Sequence, residues 1–423
     1  MARQVLQAGL APSRTRLDNG VVVLAKEATT TPAVTINLAM RAGSICDPAD
    51  APGAVHLLSR VIDRGTATWS AERIAEEFDN RAVALTITVT RHVFSVVCTC
   101  LAEDFEPLLA LLGDILMSPS VPDAELATRK GEVITAIRQD EDNPAVRAVE
   151  ALMARLYPDG HPYGRRTKGT VEVVEALTRE RLMALHAQRF APSELCAVVV
   201  GDVAAARASD AAAGVFGAWR TPPPAPIVPA RVAPAAGRLR VVIPMMNKAQ
   251  AEIAYGVVAI ARGDPTFYAC SLMNNALGQY AIGGRLGDSI RERQGMAYYV
   301  FSSLDANVVE GPLVIRAGVG PDNVDRAIAS IDVEIERLTR EGLTEKELTE
   351  SRQYLIGSMP RMLETNAGIA HFLQTAEFFG LGLDYDVRLP QLLGAVTLDE
   401  VHAAARRVLD PARATVVVAG PYT

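Results

Sequence analysis

Apolar positions along the chain follow two periods, and each recurs in both halves. The stretches RTRLDNGVVVLAKE (14–27) and PAVTINLAMRAGS (32–44) are strand-length apolar runs flanking a Thr-Pro turn, which predicts antiparallel strands. LRVVIPMMN (239–247) and AEIAYGVVAI (251–260) repeat that arrangement later. Helical periodicity follows, and the two halves close alike. LTRERLMALHAQRFAPSELCAVVVGD (177–202) and VTLDEVHAAARRVLDPARATVVVAGP (396–421) each read as a Thr N-cap, an amphipathic helix, a proline, an apolar strand and a glycine. A second pair of segments, PDAELATRKGEVITAIR (122–138) and LTEKELTESRQYLIGS (343–358), predicts helices whose acidic first turns suit the helix dipole.

Between the halves lies RTPPPAPIVPARVAPAAG (220–237), whose six prolines remove backbone donors and favour extended chain. The pattern predicts two homologous α+β domains, 1–219 and 238–423, joined by a 220–237 linker. Each is expected to be an antiparallel-rich sheet covered by helices on one face.

Composition narrows the function classes. The chain has 423 residues, 49% hydrophobic and 22% charged, enough to bury a large core and too apolar for disorder. A formal charge of −7 and the lack of a long basic run argue against a nucleic-acid surface. No stretch of 18 uninterrupted apolar residues predicts a membrane span, and MARQVLQAGLAPSRTRLDNG has no apolar signal core. Five cysteines form no C-x-x-C pair, and their odd number favours a reducing compartment. The expectation is a cytoplasmic protein, with a periplasmic one open if a signal peptide has been removed.

One stretch carries the frame of a metal site without its chemistry. In GAVHLLSRVIDRGT (53–66), His56 and Arg60 are four residues apart on a predicted helix. An inverted H-x-x-E-H motif sets two histidines at that spacing on one helix face with a carboxylate base beside them. Here the frame reads His56-Leu57-Leu58-Ser59-Arg60. A serine cannot take a proton from a zinc-bound water, and a permanently charged guanidinium repels the metal.

Several segments together resemble the pitrilysin and mitochondrial processing peptidase family. They are the Asn-Gly opening hairpin, RAGS (41–44), Gly53-x-x-His-Leu-Leu, RGT (64–66), DNP (142–144), HPYG (161–164) and the linker between similar halves. In that family a glutamate about 75 residues beyond the motif is the third zinc ligand. The matching position is Ala136, with Glu132 one turn earlier. The resemblance therefore implies that Ser59, Arg60 and Ala136 replace three of the four metal-site residues, leaving His56. A single imidazole falls far short of the roughly 10 kcal/mol or more that structural zinc sites supply. No zinc is expected on this chain.

The resemblance also covers GGRLGDSIRERQGMAYYVFSS (283–303), which matches the family's second signature with Gly284 where a serine is usual. It implies that Arg291 and Tyr298, seven residues apart, hold a substrate backbone and support the oxyanion. Without it, the same residues read as a solvated helix end, a glycine C-cap at Gly295 and a strand start. His371, in GIAHFL (368–373), imitates the zinc signature but lacks its partners, and HPYG reads as a loop-setting segment. His92, His186 and His402 form no ligand spacing.

In two-subunit relatives the zinc and the Arg/Tyr pair lie on different chains. The resemblance thus implies a non-zinc subunit of a heterodimeric zinc peptidase, assembled as a heterodimer or a dimer of heterodimers. Zinc would sit on the partner, and an extended peptide would be the substrate in a shared chamber formed like a clamshell. A scaffold or peptide-binding member of the same family, with a residual Arg/Tyr pair, is the alternative.

Overall fold

The structure is a computed structural model, and it describes residues 9–233, 235–279 and 283–423. The first eight residues, read above as part of a chain start without a signal core, lie outside the described residues. The strands are β1 (Ser13–Arg16), β2 (Val22–Glu27), β3 (Ala33–Met40), β4 (Leu85–Val89), β5 (Phe94–Leu101), β6 (Leu195–Gly201), β7 (Leu239–Pro244), β8 (Ala251–Val258), β9 (Ala297–Leu304), β10 (Pro312–Val319) and β11 (Thr415–Gly420). The helices up to the linker are α1 (Ala54–Val61), α2 (Ala71–Asp79), α3 (Phe105–Met117), α4 (Asp123–Glu141), α5 (Pro144–Leu156), α6 (Val171–Ala176), α7 (Arg179–Arg189) and α8 (Ala205–Phe216). Beyond it come α9 (Phe267–Asn274), α10 (Val324–Glu341), α11 (Glu345–Met362), α12 (Asn366–Phe378), α13 (Tyr385–Ala395) and α14 (Leu398–Val408).

The chain forms two compact units. The first comprises 1–137, 166–227 and 360–387, and the second comprises 138–165, 228–359 and 388–423. The first unit is built on a six-stranded sheet of order β1-β2-β6-β3-β5-β4. The second has a five-stranded sheet of order β7-β11-β8-β10-β9, the same order without the first strand. Each sheet is antiparallel except for one pair, β2 with β6 and β7 with β11. The strand that closes each half is inserted centrally. LCAVVVG and TVVVAG are near-continuous apolar runs, as strands buried on both faces require. β5, by contrast, alternates buried and less buried positions along FSVVCTCL, which puts Cys98 and Cys100 on one buried face.

The chain signals that predicted these ends act as expected. The Thr178 and Thr397 side chains cap α7 and α14, the latter in a capping box with Glu400. Pro192 and Pro411 open the short turns leading into β6 and β11.

One helix from each half of the chain belongs to the unit built by the other half. α5, capped by Asn143 with Pro144 in its first turn, packs on β8 and β11. α12, capped by Thr365, packs on β3 and β6, and Asn366 Nδ2 donates to Ala33 O at 3.1 Å. In the second unit α5 covers the sheet face opposite the main helical layer. Ile253, Tyr255 and Val257 of β8 join the core formed with α9, α10 and α14. On the other face, a Cβ at Gly256 would stand 2.9 Å from Leu152 Cδ2 and 3.2 Å from Leu156 Cδ1, so the glycine permits α5 to approach closely.

Candidate functional site

The degenerate metal motif lies in the first unit, on a helix whose support is intact. Asp47, buried, accepts from the backbone N–H of Gly53 at 2.8 Å and of Val55 at 2.7 Å, satisfying orphan donors at the start of α1. Gly53 has φ 92°, and a Cβ there would meet Lys168 O at 2.4 Å. Gly169, at φ 77°, would likewise drive a Cβ to 2.2 Å from Pro52 O. The two glycines let these segments touch backbone to backbone.

On that scaffold the side chains do not suit a metal. His56 is half-buried and Ser59 is buried, with the Ser59 hydroxyl donating to His56 O at 2.7 Å in a helix back-bond. Arg60 is exposed. Ala136, on α4, offers a methyl group, and Glu132 is exposed and paired with Arg129. Burial raises the pKa of nearby Asp63, while the fields of Arg64, Arg129 and Arg60 oppose that rise, and the Asp63 carboxylate lies 3.1 Å from Arg64. The motif positions thus offer one imidazole, a hydroxyl, a guanidinium and a methyl group, the wrong donor set for a zinc dication. Among the described residues, no group of three or more His, Cys, Asp or Glu side chains is arranged to hold a metal ion. The zinc that the fold family implies does not fit these residues.

Arg291 and Tyr298 lie in the second unit, on either side of a turn. Arg291 is in a π-helical segment, Gly287–Arg293, a wound geometry often found at functional sites. Its side chain is 41% exposed, and its Nε lies 3.4 Å from the Glu292 carboxylate. Gly295, with φ 60°, ends the segment, its N–H reaching Arg291 O at 3.1 Å. Met296 and Ala297 then turn into the core, anchoring the start of β9.

Tyr298 owes its exposure to a β-bulge. Tyr299 pairs with Gly318 and Ala297 with Val319, so Tyr298 is the extra residue of β9 at the step between Gly318 and Val319. β9 is also the edge strand of its sheet. The bulge leaves Tyr298 80% exposed, whereas the Tyr299 hydroxyl donates to the Glu252 carboxylate. Gly318 makes the crossing possible, because a Cβ there would stand 2.8 Å from Tyr299 Cε1.

Behind this turn Arg285 is fixed. Its Nε and Nη2 donate to the Glu347 carboxylate at 2.6 and 2.9 Å, and Nη2 also donates to Gly342 O at 2.8 Å. A Cβ at Gly284, before it, would stand 2.9 Å from Gly278 Cα, so the departure from serine fits a close backbone approach. His161, His186 and His402 bond backbone groups. The His161 Nε2–H donates to Ala230 O at 2.9 Å while Nδ1 accepts from Tyr163 N at 3.1 Å. His186 and His402 each bond a backbone carbonyl at 2.8 Å, and His371 is exposed on α12. Burial lowers the His92 pKa to about 4.

Sequence reasoning did not single out Asp47, Glu347 or Gly318. Only Glu347 had a local signal, the Thr344-x-x-Glu347 capping box that the structure forms.

Two family models match the chain. Residues 22–170 match the family model described as insulinase, peptidase family M16, and residues 176–355 match that of the peptidase M16 inactive domain. The chain is 26% identical over 418 residues to an uncharacterized zinc protease of Mycobacterium tuberculosis, covering 98% of this chain and 94% of that one. Among solved structures, a peptidase M16 inactive domain from Pseudomonas fluorescens superposes with a TM-score of 0.91 at 26% identity, covering 98% of each chain. A protease from Helicobacter pylori gives the same TM-score at 16% identity, over 98% of this chain and 100% of that one.

Proposed function

The chain belongs to the M16 metallopeptidase family, and from that premise we propose that it is the non-zinc subunit of a heterodimeric zinc endopeptidase. The observation that carries this reading is an asymmetry. The motif helix keeps its caps and close contacts but has lost its metal chemistry at Ser59, Arg60 and Ala136. The second unit keeps Arg291 exposed on a π-helical segment and Tyr298 exposed on the bulged edge strand that follows it.

In this reading zinc and its general base are supplied by a homologous partner bearing an intact H-x-x-E-H. The domains 1–219 and 238–423 form half of a chamber for an extended peptide. Arg291 and the Tyr298 hydroxyl donate to carbonyl oxygens of the bound peptide, positioning it and stabilising charge that develops in the transition state. Five unbridged cysteines support a cytoplasmic setting. Among the described residues, no helix is long and apolar enough to cross a membrane.

The test is peptidase activity of the co-purified, zinc-loaded heterodimer on an unstructured fluorogenic peptide. Tyr298→Phe is expected to lower kcat/KM by about 100-fold, the scale of removing one oxyanion donor, with assembly intact. An unchanged rate would reduce the pair to scaffold residues and favour a non-catalytic, peptide-binding member of the family.

A further inference from the structure

The exchanged helices create the same cleft twice, with the arginines more fully neutralised in the first than in the second. In the first unit a cleft of about 240 Å³ opens at the C-terminal end of α12, over Ala39 of β3 and Cys196 of β6. In the second unit a cleft of about 490 Å³ opens at the C-terminal end of α5, over Val257 of β8 and Thr415 of β11.

The two helices have the same length, 13 residues, so their positions correspond. Glu377 is the twelfth residue of α12, and Arg155 is the twelfth of α5. In the first unit Glu377 fills the cleft's need for an anion. Its carboxylate takes a two-point fork from Arg14, with Nε at 3.0 Å and Nη2 at 2.8 Å. Phe378 beside it supplies an apolar face, over which Arg41 stacks at 5.4 Å. In the second unit the corresponding residues are Arg155 and Leu156. A cation stands where the internal carboxylate would be.

The second cleft is therefore under-neutralised. Five arginines line it against two carboxylates, in a chain of net charge −7. Arg231 faces Glu310 and Arg413 faces Asp410, each at 3.4 Å, and Arg407 pairs at 2.6 Å with Asp264 outside the cleft. Arg155 and Arg406 are left with no carboxylate partner among the described residues. The floor beneath them is apolar, from Leu156, Val257 and Val408.

We infer that this cleft binds the free C-terminal carboxylate of a peptide ending in an apolar residue. Arg14 and Glu377 show the same carboxylate–guanidinium fork in the first unit with its polarity reversed, the arginine on the strand and the carboxylate on the exchanged helix, so a ligand carboxylate here would take the place of the strand-borne partner that the second sheet lacks. Arg155 and Arg406 supply planar guanidiniums, which match a carboxylate in two-point geometry. The volume lies within the range of small-ligand sites, and the apolar floor takes the terminal side chain. The inference goes beyond the subunit assignment and needs no zinc-bearing partner.

The experiment is calorimetric titration of the full chain, alone, with N-acetyl-Ala-Ala-Leu as the free acid, with its C-terminal amide, and with hexanoate. The free acid is expected to bind one per chain, and the amide and hexanoate at least about 10-fold more weakly, as loss of a charge-assisted bond or of the peptide body requires. Arg155→Glu, which reproduces the first unit's internal counter-ion, is expected to weaken the free acid at least about 10-fold. Arg406→Gln provides the same reading if the first variant does not fold by circular dichroism. Equal binding of acid and amide, or wild-type affinity in a folded Arg155→Glu or Arg406→Gln chain, overturns the site. Hexanoate binding as tightly as the peptide overturns the peptide terminus as its ligand.

Discussion

Arg285 and Glu347 form a two-point ion pair that ties the Gly283–Gly284 turn to the first turn of α11. The Arg285 side chain is 9% exposed and that of Glu347 26% exposed. Burial raises the Glu347 pKa, but the Arg285 fork and the Thr344 hydrogen bonds outweigh it and hold the group at about 2. A carboxyl depressed in the folded state stabilises the fold above its ordinary pKa and loses that contribution as pH falls. Stability should therefore drop between about pH 4.5 and pH 2 by about 1–2 kcal/mol from this group, after allowing for solvent screening. Urea denaturation at stepped pH is the measurement, and Glu347→Gln should flatten that part of the profile. A variant with an unchanged acid slope would refute the assignment.

The motif helix should depend on residues outside the metal positions. Asp47→Ala removes the acceptor of two helix-start N–H groups and is expected to cost about 2–3 kcal/mol. Gly169→Ala forces a side chain onto a left-handed backbone already against Pro52 O, and about 2–4 kcal/mol is expected. Arg60→Ala, at an exposed position, should stay within about 0.5 kcal/mol of wild type. Equilibrium unfolding of the three variants checks the ranking, and a neutral Asp47→Ala would contradict it.

Local sequence made much of this visible, and long-range pairing did not. Thr178, Thr397, Pro192 and Pro411 marked the closing helix–strand units because caps and proline act within a few residues. The loss of metal chemistry at Ser59 and Arg60 was equally plain, since the spacing of a helix face is a local property. The exchange of α5 and α12 was hidden. PAVRAVEALMARL declares an amphipathic helix, but apolar burial has no direction and does not say which sheet receives it. The Tyr298 bulge was hidden for a related reason: AYYVFSSL reads as an ordinary strand until Gly318, on the neighbouring strand, sets the register. Arg14 and Glu377, 363 residues apart, carry no mutual signal at all.

Metal removal should leave the isolated chain unaffected. A ligand held at 100 times its dissociation constant adds about 2.7 kcal/mol of stability. Zinc bound at a functional site would thus raise the unfolding midpoint clearly, and a chelator would lower it. With Ser59, Arg60 and Ala136 at the ligand and base positions, neither shift is expected. Thermal unfolding with added zinc and with EDTA, beside elemental analysis of the purified chain, is the check. One tightly held zinc per chain whose removal lowers the midpoint would overturn the degenerate-site reading.

The two adjacent tyrosines of β9 should separate catalysis from stability. Tyr298 is 80% exposed, so removing its hydroxyl should change the unfolding free energy by less than about 0.5 kcal/mol. Tyr299 faces Glu252, whose pKa burial raises, and Tyr299→Phe strands that carboxyl without its donor. A loss of about 1–2 kcal/mol is expected, the cost of leaving a half-buried carboxyl without its donor. Gly318→Ala should act like the second substitution and not the first, because its methyl presses on Tyr299 and disturbs the bulge that turns Tyr298 outward. Denaturation of the isolated chain and peptidase assays of the zinc-loaded heterodimer are then compared across the three variants. Tyr298→Phe should fall in activity at constant stability, and Tyr299→Phe in stability first. If Tyr298→Phe instead destabilised the chain as much as Tyr299→Phe, the outward position of Tyr298 would be a packing feature and the Arg291–Tyr298 pair would lose its claim to the substrate.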